Sequence, residues 1–394
     1  MSIELTDEQI DIQRVVRRFV ETELFPYERI LLEREVVGES GNLTGEEARG
    51  LQEKARGSGL WGIDTPDEYG GVDLDWVTQA IVNMELGRTF IPFRFGGSAP
   101  AVLYLGTDRQ KERYLLPTIN GERIYSFMLS EPGLGSDATA VRTSAKRSGD
   151  GWLINGEKTW ITRGRYADYG LVFCRTPHDG SGLTAFLVDR EMGWTSSPVH
   201  LMGRDDTASI SFVDVYVPDE NVFGEVGRGL EIAMRFIHKN RAIMTAGRQI
   251  GAAERLLGMA VEHAKQRSTF GKPLAERDNI RFMIAQSDID IRALKLLSLN
   301  AASLADRGLD MRHEACVTKY FGANAANRVV DRVLQIHGAM GISRELPIQR
   351  WYRDLRVERI YEGSDEMNLR SISRNLLAGT VEIGDVFGLS GARR

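Results

Sequence analysis

Phe127-Met-Leu-Ser-Glu-Pro-Gly-Leu-Gly-Ser-Asp137 runs on into Ala138, and the reading of its glycines decides the fold. Formally, Gly133-Leu-Gly135-Ser-Asp-Ala138 matches the G-x-G-x-x-A dinucleotide fingerprint. That fingerprint needs a helix directly after the glycines, inside a βαβ unit. Here Thr139 to Ile161 reads as strand and turn, with Gly149-Asp-Gly151 and Asn155-Gly156 in it. The dinucleotide reading is therefore rejected. The segment reads instead as a Gly-rich loop leaving a strand, with backbone N–H groups and the hydroxyls of Ser130 and Ser136 towards a ligand. Alone, it would be a plain β-turn loop.

Working outward, Ile124 to Leu129, Trp152 to Ile154, Leu171 to Phe173, Ala185 to Val188 and Ile210 to Val213 are short β-like runs separated by Gly-, Asp- and Asn-rich turns. That density predicts a small antiparallel sandwich or barrel. The flanks are helical. Thr6-Asp-Glu-Gln9 is a capping box, followed by Ile10, Val15, Val16, Phe19 and Val20 at helical spacing. On the far side, amphipathic stretches run from Leu230 to Gln266, Asn279 to Arg307, Arg312 to Gly338 and Ser364 to Leu377, which predicts a four-helix bundle. The expected class is α+β, with an N-terminal helical domain over 1–122, a central β domain over 123–227 and a C-terminal bundle over 228–394.

The 394 residues carry 42% apolar and 27% charged side chains, ordinary for a globular protein, and are too many for one core. The net charge of -5 gives no electrostatic case for nucleic acid. No apolar run reaches membrane-spanning length. The N-terminus is acidic where a targeting peptide would be basic. Cys174 and Cys316 form no CxxC pair, so a reducing compartment fits, a bacterial-type cytoplasm being the simplest. The six His are scattered without metal-ligand spacing, so no metal site is expected.

Two further segments suggest chemistry. In Asn155-Gly-Glu-Lys-Thr-Trp-Ile-Thr162, Asn155-Gly156 is a hairpin signal. Trp160 and Thr162 lie two apart and share one face of the next strand. An indole beside a hydroxyl suits stacking and one hydrogen bond to a flat heterocycle. For a lone Trp, the commoner role is a core anchor. Near the C-terminus, a helical, Arg-rich segment closes on Tyr361-Glu-Gly-Ser364. Gly363 can adopt backbone angles closed to other residues and lets a flat ligand approach. Glu362 then stands at a helix end facing a pocket, as a general base would.

Together these segments resemble the acyl-CoA dehydrogenase family of flavoproteins. The resemblance covers essentially the whole chain. It rests on F-M-L-S-E-P-G-L-G-S-D, N-G-E-K-T-W-I-T, Q-R-S-T-F-G-K-P-L (266–274), L-Q-I-H-G-A-M-G-I (334–342) and Y-E-G-S-D-E-M-N (361–368), in family order. It implies FAD as cofactor. Phe127, Met128, Leu129 and Ser130 would line the flavin ring, with Gly135 and Ser136 towards its phosphates or the thioester. Trp160, Ile161 and Thr162 would meet the ring from the β domain. Arg267 and Phe270 would hold the FAD of a neighbouring subunit, Gln335, Ile336, His337, Gly338 and Ala339 its pyrophosphate or adenine part, and Ser364, Asp365 and Glu366 its tail. A shared FAD implies a homotetramer, a dimer of dimers.

The resemblance makes Glu362 the catalytic base. The alternative family position for a base is Asn240 here, which cannot accept a proton. Arg241, Tyr361, Gly363 and Ser136 would contact substrate, and Arg94 falls near where some members bind a substrate carboxylate. Its plainer role is a surface or loop-anchoring Arg. His238, Asp278, Ser364 and Glu366 depart from the commoner family residues, and the Asp278 departure puts one flavin contact in doubt. The implied reaction is α,β-dehydrogenation of an acyl-CoA to a trans-2-enoyl-CoA. Glu362 takes the α-proton, flavin N5 the β-hydride, and an electron-transfer flavoprotein the electrons. An acyl-CoA oxidase using oxygen and a non-catalytic flavin- or CoA-binding subunit are the alternatives.

Overall fold

A computed structural model describes residues 4–177, 182–203 and 206–388, without the side chains at 235–238 and 240. It divides into two compact units. Unit 1 combines Met1–Ala55, Leu74–Arg94 and His238–Arg394, and unit 2 holds Arg56–Asp73 and Phe95–Ile237.

The helices follow from their caps. Helix α1 (Asp7–Phe19) begins with the expected box: Gln9 N donates to Thr6 Oγ1 (3.2 Å) and Thr6 N to Gln9 Oε1 (3.1 Å). A π-turn over Val20–Leu24 leads into α2 (Phe25–Val36). Then come α3 (Gly45–Gly57) and α4 (Trp76–Leu86), whose Thr78 N donates to Asp75 Oδ1 at 2.8 Å. After the β region, α5 (Gly229–Lys239) continues through a π-turn at Asn240–Thr245 into α6 (Ala246–Gln266). Helices α7 (Asp278–Asp306), α8 (Arg312–His337), α9 (Ile348–Arg356) and α10 (Asp365–Leu377) complete the chain.

The core of unit 1 joins residues far apart in sequence. Ala80, Ile81 and Met84 of α4 pack with Ile250 of α6, Leu294 and Leu299 of α7, and Ala315 of α8. Glycines let α4 and α6 touch backbone to backbone. A Cβ at Gly251 would lie 2.1 Å from Met84 O. Glu28 of α2 accepts from Arg255 Nη1 (2.5 Å) and Nη2 (2.7 Å) of α6, a bidentate link.

Unit 2 is built on an eight-stranded sheet. Its strands are β1 (Tyr125–Met128), β2 (Ser144–Ser148), β3 (Gly151–Thr162), β4 (Tyr169–Arg175), β5 (Leu183–Asp189), β6 (Thr195–Pro198), β7 (Thr207–Pro218) and β8 (Val222–Phe223). Four of the five predicted runs lie within strands, and Ile124 to Leu129 exceeds β1 by one residue at each end. The order is β6-β7-β3-β2-β4-β5-β8, with β1 beside β4. The sheet is mixed where an antiparallel one was expected, because β1 pairs parallel to β4. Period-two alternation gives β4 two buried faces. Val172 and Cys174 meet Trp152, Ile154, Ile210 and Phe212 on one side. Tyr169, Leu171 and Phe173 meet Val102, Leu103, Tyr114 and Leu115 on the other.

The expected turn at Asn155-Gly156 is a correction. Both residues lie inside β3, at a register shift against β7. The hairpin turn is Gly149-Asp150, with Gly149 at φ 59°. Among the described residues, no helix is long and apolar enough to cross a membrane.

Candidate functional site

On unit 2, the loop after β1 is stitched to β3. Ser126 Oγ donates to Thr162 O (2.9 Å), and Thr159 N donates to Ser130 O (2.9 Å). Phe127 is half-buried, its ring 4.9 Å from that of Phe173. Met128 is fully buried in the sheet core, so a ligand can meet only its backbone. Leu129 and Ser130 are half-buried, and Gly135 and Ser136 are exposed. A Cβ added at Gly135 would meet nothing within 4 Å, so its backbone stands in the open.

Beneath this loop lies a feature the sequence reading passed over. Lys158, from N-G-E-K, is fully buried. Its Nζ donates to Glu131 Oε1 (2.8 Å), Phe173 O (2.6 Å) and Leu129 O (3.1 Å). Glu131, from S-E-P-G, also accepts from Arg142 N (2.7 Å) and Thr143 N (2.8 Å). Burial pushes the Glu131 carboxyl up, but the hydrogen bonds and the Lys158 charge prevail and leave it below the usual range. Desolvation dominates at Lys158 and lowers its pKa. The ion pair thus fixes both ends of the loop. The available signal was a Lys among buried neighbours in a strand.

Trp160 is not a core anchor. The register slips between Lys158 and Ile161, Trp160 takes φ 60°, and its ring is 59% exposed. The bulge turns the indole outward. Thr162 is exposed as well, whereas Ile161 points into the core.

On unit 1, a second constellation forms around Tyr361-Glu362-Gly363. Glu362 is half-buried and takes φ 55°, rare outside Gly, and Gly363 follows at φ 86°. Arg241 Nε donates to Glu362 O at 2.5 Å. Lys319 Nζ donates to Glu358 O (2.5 Å) and Gly363 O (2.9 Å), and Asn368 Nδ2 to Gly363 O (2.7 Å). A Cβ at Gly363 would lie 2.3 Å from Arg241 Nη2 and push that guanidinium aside, and the φ of 86° itself favours Gly. Tyr361 turns its hydroxyl to Glu358 Oε2 (2.9 Å), which also accepts from Gln249 Nε2 (3.2 Å). Burial pushes the Tyr361 phenol and the Glu358 carboxyl up, with Arg248 opposing the shift at Glu358.

Beyond that turn, Ser364 caps α10, its Oγ accepting from Met367 N (3.4 Å). Buried Asp365 accepts from Arg359 Nε at 2.7 Å, and Glu366 is exposed. Arg94 is exposed. The side chains of His238 and Asn240 lie outside the described residues.

A third group lies at the ends of α6 and α8. Arg267 is exposed, and Phe270, at φ 49° on a two-stranded hairpin, is 99% exposed. Gln335, Gly338 and Ala339 are exposed, and a Cβ at Gly338 would meet nothing within 4 Å. Ile336 and His337 are buried. The His337 ring stacks on His263 at 4.4 Å, so the two segments come together.

This His pair gives a pH expectation. Burial lowers both pKa values, and His263 is lowered further by His337 and Arg267. As pH falls below about 6.5, the unfolded rings take up protons before the folded ones do. Stability should therefore fall with pH in that window. The unfolding midpoint is expected to be lower at pH 5.5 than at pH 7.5, with a smaller difference in His337→Gln.

Each unit by itself offers groups suited to a flavin dinucleotide: on unit 2 an exposed indole beside a hydroxyl and the open backbone of Gly135, on unit 1 the open backbone of Gly338 and the exposed Arg267 and Phe270. Three family models match the chain. They are the acyl-CoA dehydrogenase N-terminal domain over residues 6–122, the middle domain over 126–215 and the C-terminal domain over 227–377. The chain belongs to the acyl-CoA dehydrogenase family.

The mitochondrial short-chain specific acyl-CoA dehydrogenase of Mus musculus is 33% identical over 393 residues, covering 95% of this chain and 92% of its own. The caffeyl-CoA reductase–Etf complex subunit CarC of Acetobacterium woodii is 36% identical over 379 residues, covering 93% and 97%. The butyryl-CoA dehydrogenase structure from Megasphaera elsdenii superposes with a TM-score of 0.84 at 32% identity, covering 96% of this chain and all of the other. The chain is thus an acyl-CoA dehydrogenase, an oxidoreductase with FAD as its cofactor.

Proposed function

We propose that this enzyme dehydrogenates an acyl-CoA thioester to the trans-2-enoyl-CoA with Glu362 as the base. The observation that carries this reading is the left-handed turn at Glu362, where Arg241, Lys319 and Asn368 bind the carbonyls of the base and of the glycine after it. Glu362 takes the α-proton as the Cα–Cβ double bond forms. When bound, FAD accepts the β-hydrogen as hydride at N5. We assign the charge developing on the thioester oxygen to the backbone N–H of Glu362, an oxyanion-type donor. Substrate binding dries the carboxylate and raises its pKa towards the working pH. Arg241 and Gly363 frame the acyl group.

The reading extends to partners. The Etf complex named for the Acetobacterium relative supports an electron-transfer flavoprotein as the acceptor. That relative is a reductase, and the same arrangement run backwards reduces an enoyl thioester. The deciding experiment is anaerobic bleaching of the bound flavin across a panel of acyl-CoA thioesters. Bleaching without turnover until an electron-transfer flavoprotein is added is expected. Fast turnover with oxygen alone would mark an oxidase, and no bleaching by any thioester would sink the reading.

We infer a homotetramer that shares its FAD sites, in a bacterial-type cytoplasm. Phe282, Ile289 and Leu296 lie seven residues apart along α7 and are all exposed, at 63%, 65% and 54%. At that spacing they form one apolar line. Ile289→Asp should reduce the mass seen by light scattering to a dimer or monomer. An unchanged tetramer would remove α7 from the interface.

A further inference from the structure

Lys319 stands in the middle of α8, where the helix is otherwise lined by small buried residues: Ala315, Cys316, Gly322 and Ala323. Its side chain is fully buried. The ammonium spans the segment that carries Glu362. It donates to Glu358 O at 2.5 Å, four residues before the base, and to Gly363 O at 2.9 Å, one residue after it. Its charge faces Glu358, Asp365, Arg241 and Glu362, with the Tyr361 ring 6.0 Å away. Burying an ammonium is costly, and a neutral side chain of similar size is often the more stable choice. The burial has already lowered its pKa to about 8, against the pull of Glu358, Asp365 and Glu362. The ammonium is held there against that cost. What it supplies is geometry and charge beside the base.

We propose that Lys319 is a positioning residue for the reaction: it clamps the 358–363 segment on both sides of Glu362 and holds a positive charge there that keeps the resting carboxylate ionised. The proposal rests on Glu362 being the base. Arg241 grips the Glu362 carbonyl and cannot replace the Lys319 contacts, which are made to other carbonyls. Loosening the turn lets the carboxylate drift, and a shift of about 1 Å can slow a reaction on the order of 100-fold. Removing a nearby cation disfavours the ionised form of a carboxyl.

The test uses the full-length, FAD-loaded enzyme and the acyl-CoA that bleaches wild-type flavin fastest. Lys319→Met should keep its flavin content, with a lower unfolding midpoint because buried Glu358 and Asp365 lose a cation. Its limiting rate of anaerobic reduction should fall about 10- to 100-fold, and the acidic limb of its pH–rate profile should move to higher pH. Lys319→Arg restores the charge and should return the limb towards the wild-type pH. A purely structural Lys would lower the midpoint and leave the limb in place. Lys319→Gln, uncharged but still a donor, is the second variant should the Met form not fold. It should show the same shift of the limb. Wild-type rate and profile in either variant would overturn the proposal, as would failure of both to fold. Glu362→Gln, run in parallel, separates the two readings. If it reduces flavin normally, the base assignment fails. If it is dead while Lys319→Met is normal, only the clamp fails.

Discussion

Glu362→Gln is expected to slow anaerobic flavin reduction about 100- to 10,000-fold, the usual loss for a missing general base. FAD content and acyl-CoA binding should persist. The structure gives the reason the lesion is confined to chemistry. The turn is held through main-chain carbonyls by Arg241, Lys319 and Asn368, and none of these contacts involves the Glu362 carboxylate. Gln occupies the same left-handed conformation with the same volume. Neighbouring carboxylates are engaged elsewhere: Glu358 accepts from Tyr361 and Gln249, and Asp365 from Arg359. Position 240 is Asn and offers no proton acceptor. Acyl-CoA should therefore perturb the flavin spectrum of the variant without bleaching it. Adding Asn240→Glu should restore a small part of the rate on longer or branched substrates. Near wild-type reduction by Glu362→Gln alone would place the base on another residue.

The largest stability effect is expected at Lys158. Lys158→Met leaves Glu131 inside unit 2 with its two backbone donors but no cation, and breaking a buried pair from one side costs about 3–5 kcal/mol. The carbonyls of Leu129 and Phe173 lose a donor too. Denaturant unfolding should show this loss, and FAD should dissociate more readily because the 129–137 loop is no longer tethered. The double variant Glu131→Gln/Lys158→Met removes both charges and should recover much of the loss. A penalty below about 1 kcal/mol for Lys158→Met would mean that the pair contributes little.

The strands and helices were readable because period and capping are local properties. The five β-like runs and the Thr6 box came directly from them. What failed was non-local or broke a rule. The β1–β4 parallel pairing joins Tyr125 to Tyr169, and no local pattern in either strand encodes the partner. Asn155-Gly156 has hairpin chemistry, yet Gly156 serves close approach: a Cβ there would lie 2.7 Å from Thr143 Cα. Trp160 obeyed the two-residue alternation with Thr162, but the bulge that turns it outward is invisible in a pattern of single residues. Lys158 and Lys319 were passed over because lysine defaults to the surface. Both stand at inward positions, and those exceptions organise the two turns that carry the proposed chemistry.

Unit 1 is discontinuous, and synthesis from the N-terminus makes that matter. Ala80, Ile81 and Met84 are made early, but Ile250, Leu294 and Leu299, which cover them, come much later. At 5–20 residues per second the wait is roughly 10–40 s. Unit 2 is nearly contiguous and can close during that interval. The nascent chain therefore carries an open helical half until the ribosome has delivered α6, whose Gly251 meets α4 backbone to backbone, and then α7. A ribosome-associated holdase would find its binding stretch there, and cold-slowed translation would lengthen the exposure.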